Sequence, residues 1–382
     1  MLRRGLDLIG DIIRQADLVL LGLCCAATAY GLVMIASATN YMGTMRYVVV
    51  QLAAWIIGIV LYFLVSLVDV TVILKKWKWI AVFNVTFFLL LKTPLGAESN
   101  GNLAWLSIPG FPVDIQPAEI VKVTFILLLA KQLVWLKENK DLKSASSVAM
   151  LGGHLLGLVG LYYVISSDMG SALVYIFAFA CMCFAAGVAL RWFVAGICGG
   201  AFAFYALWEM GKIPDYMQDR FLILFDHSLD PQGVGWHQTR SLLTLGGGGI
   251  TGQGLFNGTQ TQSEFSWSLP FRHTDFIFSA IGEELGMLGC LLVLILLGAI
   301  IIRCVMIASR ARCPLESYVC VGVAGTLIFQ TISNVGMCLF VLPVIGLTLP
   351  FFSYGGSSLV TLYLCMGVVS GIRSRTLPEW LR

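Results

Sequence analysis

The sequence predicts an all-α polytopic membrane protein with about ten transmembrane helices and both termini in the cytoplasm. Three observations carry that reading. Of the 382 residues, 58% are hydrophobic and 12% charged, where a soluble domain carries about 25% charged residues. Ten apolar runs are long enough to cross a bilayer core of ~30 Å. When those runs are threaded alternately from a cytoplasmic N-terminus, 17 of the 24 Lys and Arg fall on the inner side, as the positive-inside rule requires.

Residues 1–16 set Leu2, Ile9, Ile12 and Ile13 against Arg3, Arg4, Asp7, Asp11 and Arg14. That spacing predicts a short amphipathic helix on the inner surface. The apolar run that follows is long enough to remain as a span, with no small-residue cleavage site after it. The spans are expected at 17–37, 46–68, 78–92, 117–136, 147–165, 170–190, 192–210, 275–302, 317–342 and 351–372. Residues 373–382 form a short cytoplasmic tail. No repeat of fixed period and no Ser- or Pro-rich linker divides the chain, so it reads as one membrane domain. Its 11 cysteines fall mostly inside apolar runs and behave as small hydrophobes.

Two loops face outward on this threading. The first, 93–116, holds enough Gly and Pro to exclude a continuous helix, and its Trp105, Ile108 and Phe111 suit the membrane interface. The second, 211–273, is the feature around which the chain is organised. A loop of that length between apolar spans is usually functional or disordered, and its aromatics argue against disorder. It predicts a folded, solvent-facing cap on the outer surface, with Asp275 at its exit.

Ionisable groups at membrane depth are expensive and face a partner or a cavity. In QPAEIVK, Pro117 suits a first helical turn, and Glu119 and Lys122 then share one face. They read either as a structural ion pair or as the lining of a cavity for an anionic ligand such as a lipid diphosphate. Asp168, at a short outer turn, reads first as a helix cap. Asp275 opens an apolar helix where Thr274 already offers a cap, with Arg272 and His273 beside it. Glu283 and Glu284, further along that helix, call for a partner or water and suggest a polar cavity. PFFSYGGSSL at 350–359 reads as close packing through small residues.

Several chemistries are excluded by what is missing. No phosphate-binding G-x-x-x-x-G-K-[ST] loop is present, and GGGGITGQG at 246–254 lies in an outer loop outside any βαβ unit, so no nucleotide cofactor is expected. The four histidines are too scattered for a structural zinc site, and nothing marks a nucleic-acid partner. What remains is a surface carboxylate beside Arg272, Arg220 and Arg240, with Lys122 below. That set suits a transferase acting on lipid-linked diphosphates, in which the carboxylate takes a hydroxyl proton and cations or a metal offset the departing charge.

Five stretches occur in order: QPAEIVK (116–122), DPQGVGWHQTRS (230–241), GITGQGLFNGTQ (249–260), RHTDFIFSAIGEELG (272–286) and NVGMCLFVLPVIGLTLPFFSYGGSS (334–358). By them the chain resembles the SEDS family, exemplified by RodA, FtsW and SpoVE, over nearly its whole length. The resemblance implies a peptidoglycan glycosyltransferase that polymerises lipid II, releases undecaprenyl diphosphate and works with a class B penicillin-binding protein. It places the protein in the bacterial cytoplasmic membrane, with Asp275 catalytic and Glu119 and Lys122 lining the central cavity. Asp168, Trp236, His237, Arg240, Gln260, His273 and Ser353 join these two as expected substrate-binding residues, and a divalent cation, Mg²⁺ or Mn²⁺, as a possible cofactor. A lipid II flippase and a scaffold for the penicillin-binding protein are the alternatives. Short tails lean towards the RodA or SpoVE branch. Three departures stand out: Leu103 and Ala104 where the family carries arginine before Trp105, Ser167 in place of proline before Asp168, and Arg240 in place of glutamine.

Overall fold

A computed structural model describes residues 15–99, 101–110, 114–225, 234–265 and 268–376. The expected N-terminal amphipathic helix lies, except for its last residues, outside the described residues. So do His227 and the start of DPQGVGWHQTRS, Phe111, and the tail beyond residue 376. The helices are α1 (Leu18–Asn40), α2 (Arg46–Ser66), α3 (Val70–Ile73), α4 (Trp77–Leu89), α5 (Pro117–Asn139), α6 (Ala145–Ser166), α7 (Met169–Ala186), α8 (Leu190–Glu209), α9 (Asp215–Leu222), α10 (Val234–Gly248), α11 (Ile277–Ser309), α12 (Pro314–Cys338) and α13 (Gly356–Thr376).

Eight of them, α1, α2, α6, α7, α8, α11, α12 and α13, are long and apolar enough to cross a membrane. The other two expected spans also form helices. The α4 helix has 13 residues, extended at both ends by short 3₁₀ turns, and α5 carries Glu119, Lys122 and Lys131 within one span length. The first outer loop departs from an all-helical description. It folds into an antiparallel hairpin, β1 (Gly96–Ser99) with β2 (Asn102–Leu106), bulged between Ala97 and Glu98. Ala104, where the resemblance implied arginine, is buried in it.

Small residues bring α2 and α13 together. A methyl group on Gly367 would stand 2.7 Å from the Tyr62 carbonyl oxygen, so the two backbones approach to a distance only glycine permits. Without a hydrophobic force between helices in lipid, such close packing supplies much of the association. The α8 helix is the exception to this packing, since none of its residues is buried.

The described basic groups threaded to the inner side gather at one end of the bundle. Lys131 Nζ donates to the Leu74 carbonyl at 2.6 Å, and Arg191 to that of Lys143 at 2.9 Å. Arg303 and Arg373 both reach the fully buried Asp17, at 3.0 and 3.5 Å, and Asp17 in turn caps α1.

The α11 helix sets the geometry of the opposite end. Its 33 residues are interrupted at Gly286, which sits at φ 68° and ψ −166°. From Met287 onward the 23 residues span roughly 34 Å at 1.5 Å each, enough to cross the bilayer core alone. Met287, Leu288, Leu291 and Leu292 begin its exposed apolar face, whereas Ile277–Glu284 are buried in protein. The break frees backbone groups, and the glycine-rich segment after α10 takes them up. Gln253 and Gly254 N–H donate to the carbonyls of Glu283 and Glu284, both at 2.9 Å. Met287 and Leu288 N–H donate to those of Gly249 and Ile250. GGGGITGQG is therefore a backbone splice. A Cβ at Gly248, Gly252 or Gly286 would fall 2.4 Å or less from facing backbone.

Candidate active site

The site is built around the connection between α12 and α13, residues 339–355, more than around the large loop. Three successive carbonyls leading into α11 are held by side chains or backbone from this region. The Tyr354 N–H donates to the His273 carbonyl at 2.8 Å, Ser353 Oγ to that of Thr274 at 2.6 Å, and Asn334 Nδ2 to that of Asp275 at 2.8 Å. Asn334 also donates to the Leu347 carbonyl at 2.7 Å, tying the end of α12 to the connection. The backbone bearing Asp275 is thus fixed, while its half-buried carboxylate faces Gly346. Burial pushes the Asp275 pKa up to about 6, against a hydrogen bond from Thr274 and the charge of Arg220, which both favour the ionised form. Arg220 is positioned by α9 and donates to the Val344 carbonyl at 3.0 Å.

The two histidines of this region are packed among rings. His273 packs against Tyr47 and Tyr354, with centroids 5.0 and 5.9 Å away, and those two rings also touch each other. Burial, and then the charge of Arg272, lower its pKa to about 4, so it is neutral at physiological pH. His237 sits 5.8 Å from Phe271 and 6.3 Å from Phe276. Burial, with Arg220 as the second cause, lowers its pKa also. Trp236 and Arg240 pair with each other on α10, the guanidinium 4.1 Å from the ring centroid. The α10 helix is locked in place through Gln238, which donates to the Met337 and Leu342 carbonyls, and through Ser241, which pairs with Ser279 at 2.6 Å.

Several polar groups prove to be scaffold. Arg272 is buried, donates to the carbonyls of Gln260, Thr261 and Ser263, and lies 3.5 Å over the Tyr41 ring. It staples the loop and is spent there, contrary to its expected place among cations beside Asp275. Glu283 and Glu284 do not line a cavity. Glu283 accepts from the Thr259 and Thr261 hydroxyls and from the Gln260 and Thr261 N–H groups, at 2.6–3.0 Å. Glu284 accepts from Ser37 Oγ, Gln262 Nε2 and the Phe256 N–H. Together they pin residues 256–262 onto α11.

Glu119 and Lys122 form a buried ion pair at 2.8 Å, and Ser358 of α13 reaches Glu119 at 3.4 Å. Asp168 caps α7 and accepts from the Ser171 N–H at 3.1 Å, Ser171 Oγ at 2.6 Å, Tyr162 at 2.8 Å and Gln116 at 3.5 Å. The preceding Ser167 is at φ 57°, a conformation closed to proline. Gly170, beside Asp168, packs on the Ile345 carbonyl.

The structure therefore brings Asp275, His273, His237 and Ser353 together. Residues 353–358 join them to Glu119 and Lys122, and residue 345 to the turn of Asp168. Gln260 is held behind them by Glu283 and Arg272, and Trp236 with Arg240 forms a separate pair on α10. Tyr47 and Asn334 were missed in the sequence. Tyr47 reads only as an aromatic at a span end, and Asn334 as one polar residue in an apolar helix, though a lone amide at membrane depth is itself a signal.

This arrangement defines a polytopic membrane enzyme with one perturbed carboxylate in a loop crown at the end of its helix bundle. The family model for FtsW, RodA and SpoVE, described as "Cell cycle protein", matches residues 17–377, and the chain belongs to that family. A probable peptidoglycan glycosyltransferase FtsW of Geobacter sulfurreducens is 32% identical over 95% of this chain and 96% of the relative. The peptidoglycan glycosyltransferase MrdB of Escherichia coli K12 is 31% identical over 94% of this chain and 93% of its own length. Identities this close do not choose between the two branches. Among solved structures, a chain from work on a peptidoglycan synthase complex that coordinates polymerization and crosslinking aligns with TM-score 0.80 and 29% identity. It covers 95% of this chain and 99% of that one. An aspartate-to-alanine mutant of Thermus thermophilus rod shape determining protein RodA aligns with TM-score 0.70 and 27% identity, over 95% and 99%.

Proposed function

We propose that this chain polymerises lipid II at the outer surface of the bacterial cytoplasmic membrane, with Asp275 as general base. The chain is a peptidoglycan glycosyltransferase; the substrate, the roles of single residues and the partner are our reading. The observation that carries it is the fixed, half-buried Asp275 with its pKa raised to about 6, near the optimum for a base working at neutral pH. Asp275 removes the proton from the acceptor 4-hydroxyl as that oxygen attacks the anomeric carbon of the α-linked donor. The bond to diphosphate breaks on the opposite face, giving a β-1,4 linkage and undecaprenyl diphosphate.

Arg220, close enough to act on Asp275 electrostatically, offsets the charge on the leaving group. Lys122 contributes through a charge already shared with Glu119. Among the described residues no three His, Cys, Asp or Glu side chains converge to hold a metal. Mg²⁺ or Mn²⁺ would be held by Asp275 together with diphosphate oxygens, the usual mixed mode for Mg²⁺ at a phosphate, and would neutralise charge there. A class B penicillin-binding protein is the proposed partner, consistent with the structural likeness to a chain of a synthase complex.

The test is polymerisation of purified lipid II, with and without a cognate class B partner, by wild type and Asp275→Ala. We expect glycan from wild type and a loss of about 10²-fold or more in the variant, the low end of general-base effects. Undiminished polymer from Asp275→Ala at equal membrane abundance would overturn its role. No polymer at all, with labelled lipid II still crossing proteoliposome bilayers, would assign the chain to translocation.

A further inference from the structure

The connection between α12 and α13 is irregular at 353–355, immediately before α13 begins at Gly356. Gln51 of α2 faces it and is 1% exposed. Counted at 1.5 Å per residue, Gln51 lies about 8 Å inward from the start of α2 at Arg46. Irregular backbone at membrane depth has no water to bond and must find its partners in protein. Gln51 supplies two. Its Nε2 donates to the Ser353 carbonyl at 3.1 Å, and its Oε1 accepts from the Gly355 N–H at 3.1 Å. The orientation of the carboxamide is forced, because a carbonyl only accepts and a backbone N–H only donates. One planar group thus bridges residues 353 and 355 as the edge of a neighbouring strand would. Capping of α13 accounts for only part of this. A helix start needs acceptors for its N–H groups, whereas the bond to the Ser353 carbonyl serves the connection alone.

What the carboxamide holds is the strut behind Asp275. Ser353 donates its N–H to the Leu349 carbonyl at 3.0 Å, accepts at Oγ from the Leu349 N–H at 2.8 Å, and donates from Oγ to the Thr274 carbonyl at 2.6 Å. Its own carbonyl is left for Gln51. Tyr354, between the two groups that Gln51 binds, donates its N–H to the His273 carbonyl at 2.8 Å. One turn before Gln51, the Tyr47 ring lies 5.0 Å from both His273 and Tyr354. The α1 helix closes on the same connection at Gly31, where a Cβ would stand 2.7 Å from the Phe351 carbonyl oxygen.

We propose that Gln51 is a positioning residue for glycosyl transfer. Its carboxamide sets residues 353–355, and through their bonds to the His273 and Thr274 carbonyls it seats Asp275 against the substrate. The proposal rests on the reading of Asp275 as base.

The test measures lipid II polymerisation by the full-length protein in proteoliposomes with its cognate class B partner, comparing wild type, Gln51→Met and Gln51→Glu. Methionine keeps the length of the side chain and loses both bonds. We expect its kcat to fall about tenfold or more, the scale of a displaced reacting group, with KM within about twofold of wild type. Glutamate keeps the shape and can titrate. Ionised, it accepts from the Gly355 N–H but has no proton for the Ser353 carbonyl; protonated, it makes both bonds. The Gln51→Glu rate divided by the wild-type rate at the same pH should therefore rise between about pH 8 and about pH 6. Dividing by wild type removes the titration of Asp275, which both proteins share. A ratio near one at every pH, with burial keeping the acid protonated, equally supports the proposal. Wild-type kcat in Gln51→Met, or a loss confined to KM, overturns it. So does a Gln51→Glu ratio that stays low at every pH, and that result decides alone where Gln51→Met fails to accumulate. Undiminished polymer from Asp275→Ala would remove the base and leave Gln51 to its own ratios, since 353–355 hold the His273 and Thr274 carbonyls whichever nearby group reacts.

Discussion

Replacing Glu283 with alanine tests whether the carboxylates of α11 anchor the loop or line a cavity. The side chain receives two hydroxyl and two backbone N–H donors, all between 2.6 and 3.0 Å, and is 1% exposed. Each hydrogen bond to a charged group contributes about 1.5–3 kcal/mol net, and each buried donor left without a partner costs about 1–3 kcal/mol. The two backbone N–H groups of Gln260 and Thr261 cannot rotate away as the hydroxyls can. Relaxation and water entry recover part of the loss, so the local cost is roughly 4 kcal/mol. At 1.4 kcal/mol per decade, opening of residues 256–262 becomes about 10³-fold more frequent. Amide hydrogen exchange of the detergent-solubilised protein reads this directly. Peptides covering 256–262 should exchange faster by that order, while those in the inner halves of α2 and α13, which pack on each other at Tyr62 and Gly367, should not change. Glu283→Gln should fall between, since its amide nitrogen meets donors with a donor. Unaltered protection of 256–262 in Glu283→Ala would refute the anchoring argument and restore the expectation of a water-filled cavity.

Three further outcomes follow from the same geometry. Polymerisation should rise through about pH 6 and level off near 7, because burial raises the Asp275 pKa to about 6 and only the ionised form can accept a proton; a rate flat from pH 5 to 8, measured on lipid II, would contradict its use as base. Asn334→Ala should lower kcat by about tenfold or more with KM little changed, since it frees the carbonyl of Asp275 and misplaces a reacting group. Ser167→Gly should stabilise by about 0.5–1 kcal/mol, because a side chain at φ 57° is strained; a lower melting temperature for that variant would count against the left-handed turn.

Much of this site was legible in the sequence, and the legible part shares one cause. Apolar runs of span length must become helices in lipid because no other backbone arrangement pairs its N–H and C=O groups there. The motif with Asp275 at a helix start was visible because a charge beside an apolar run is costly wherever the chain folds. Glu119 with Lys122 was visible because helix geometry alone places residues three apart together. The partners of Glu283 and Glu284 were not, since the donors come from Ser37 and from residues 256–262, all more than twenty positions away. Nor was the use of Arg272, which local charge placed beside Asp275 and the fold spends on three loop carbonyls.

The sequence by itself determined the class of protein, the order of its long apolar helices, the grouping of its basic residues at one end and the identity of the candidate base. These depend on hydropathy and on spacing within single elements. Only the tertiary structure decided that a glycine-rich loop completes the backbone of a broken helix. It alone decided that residues 339–355 aim Asp275, and that Arg272 is held by three loop carbonyls. Each of these is a pairing between groups distant in the chain, and a hydrogen bond of about 3 Å is a property of two positions in space that neither stretch of sequence carries alone.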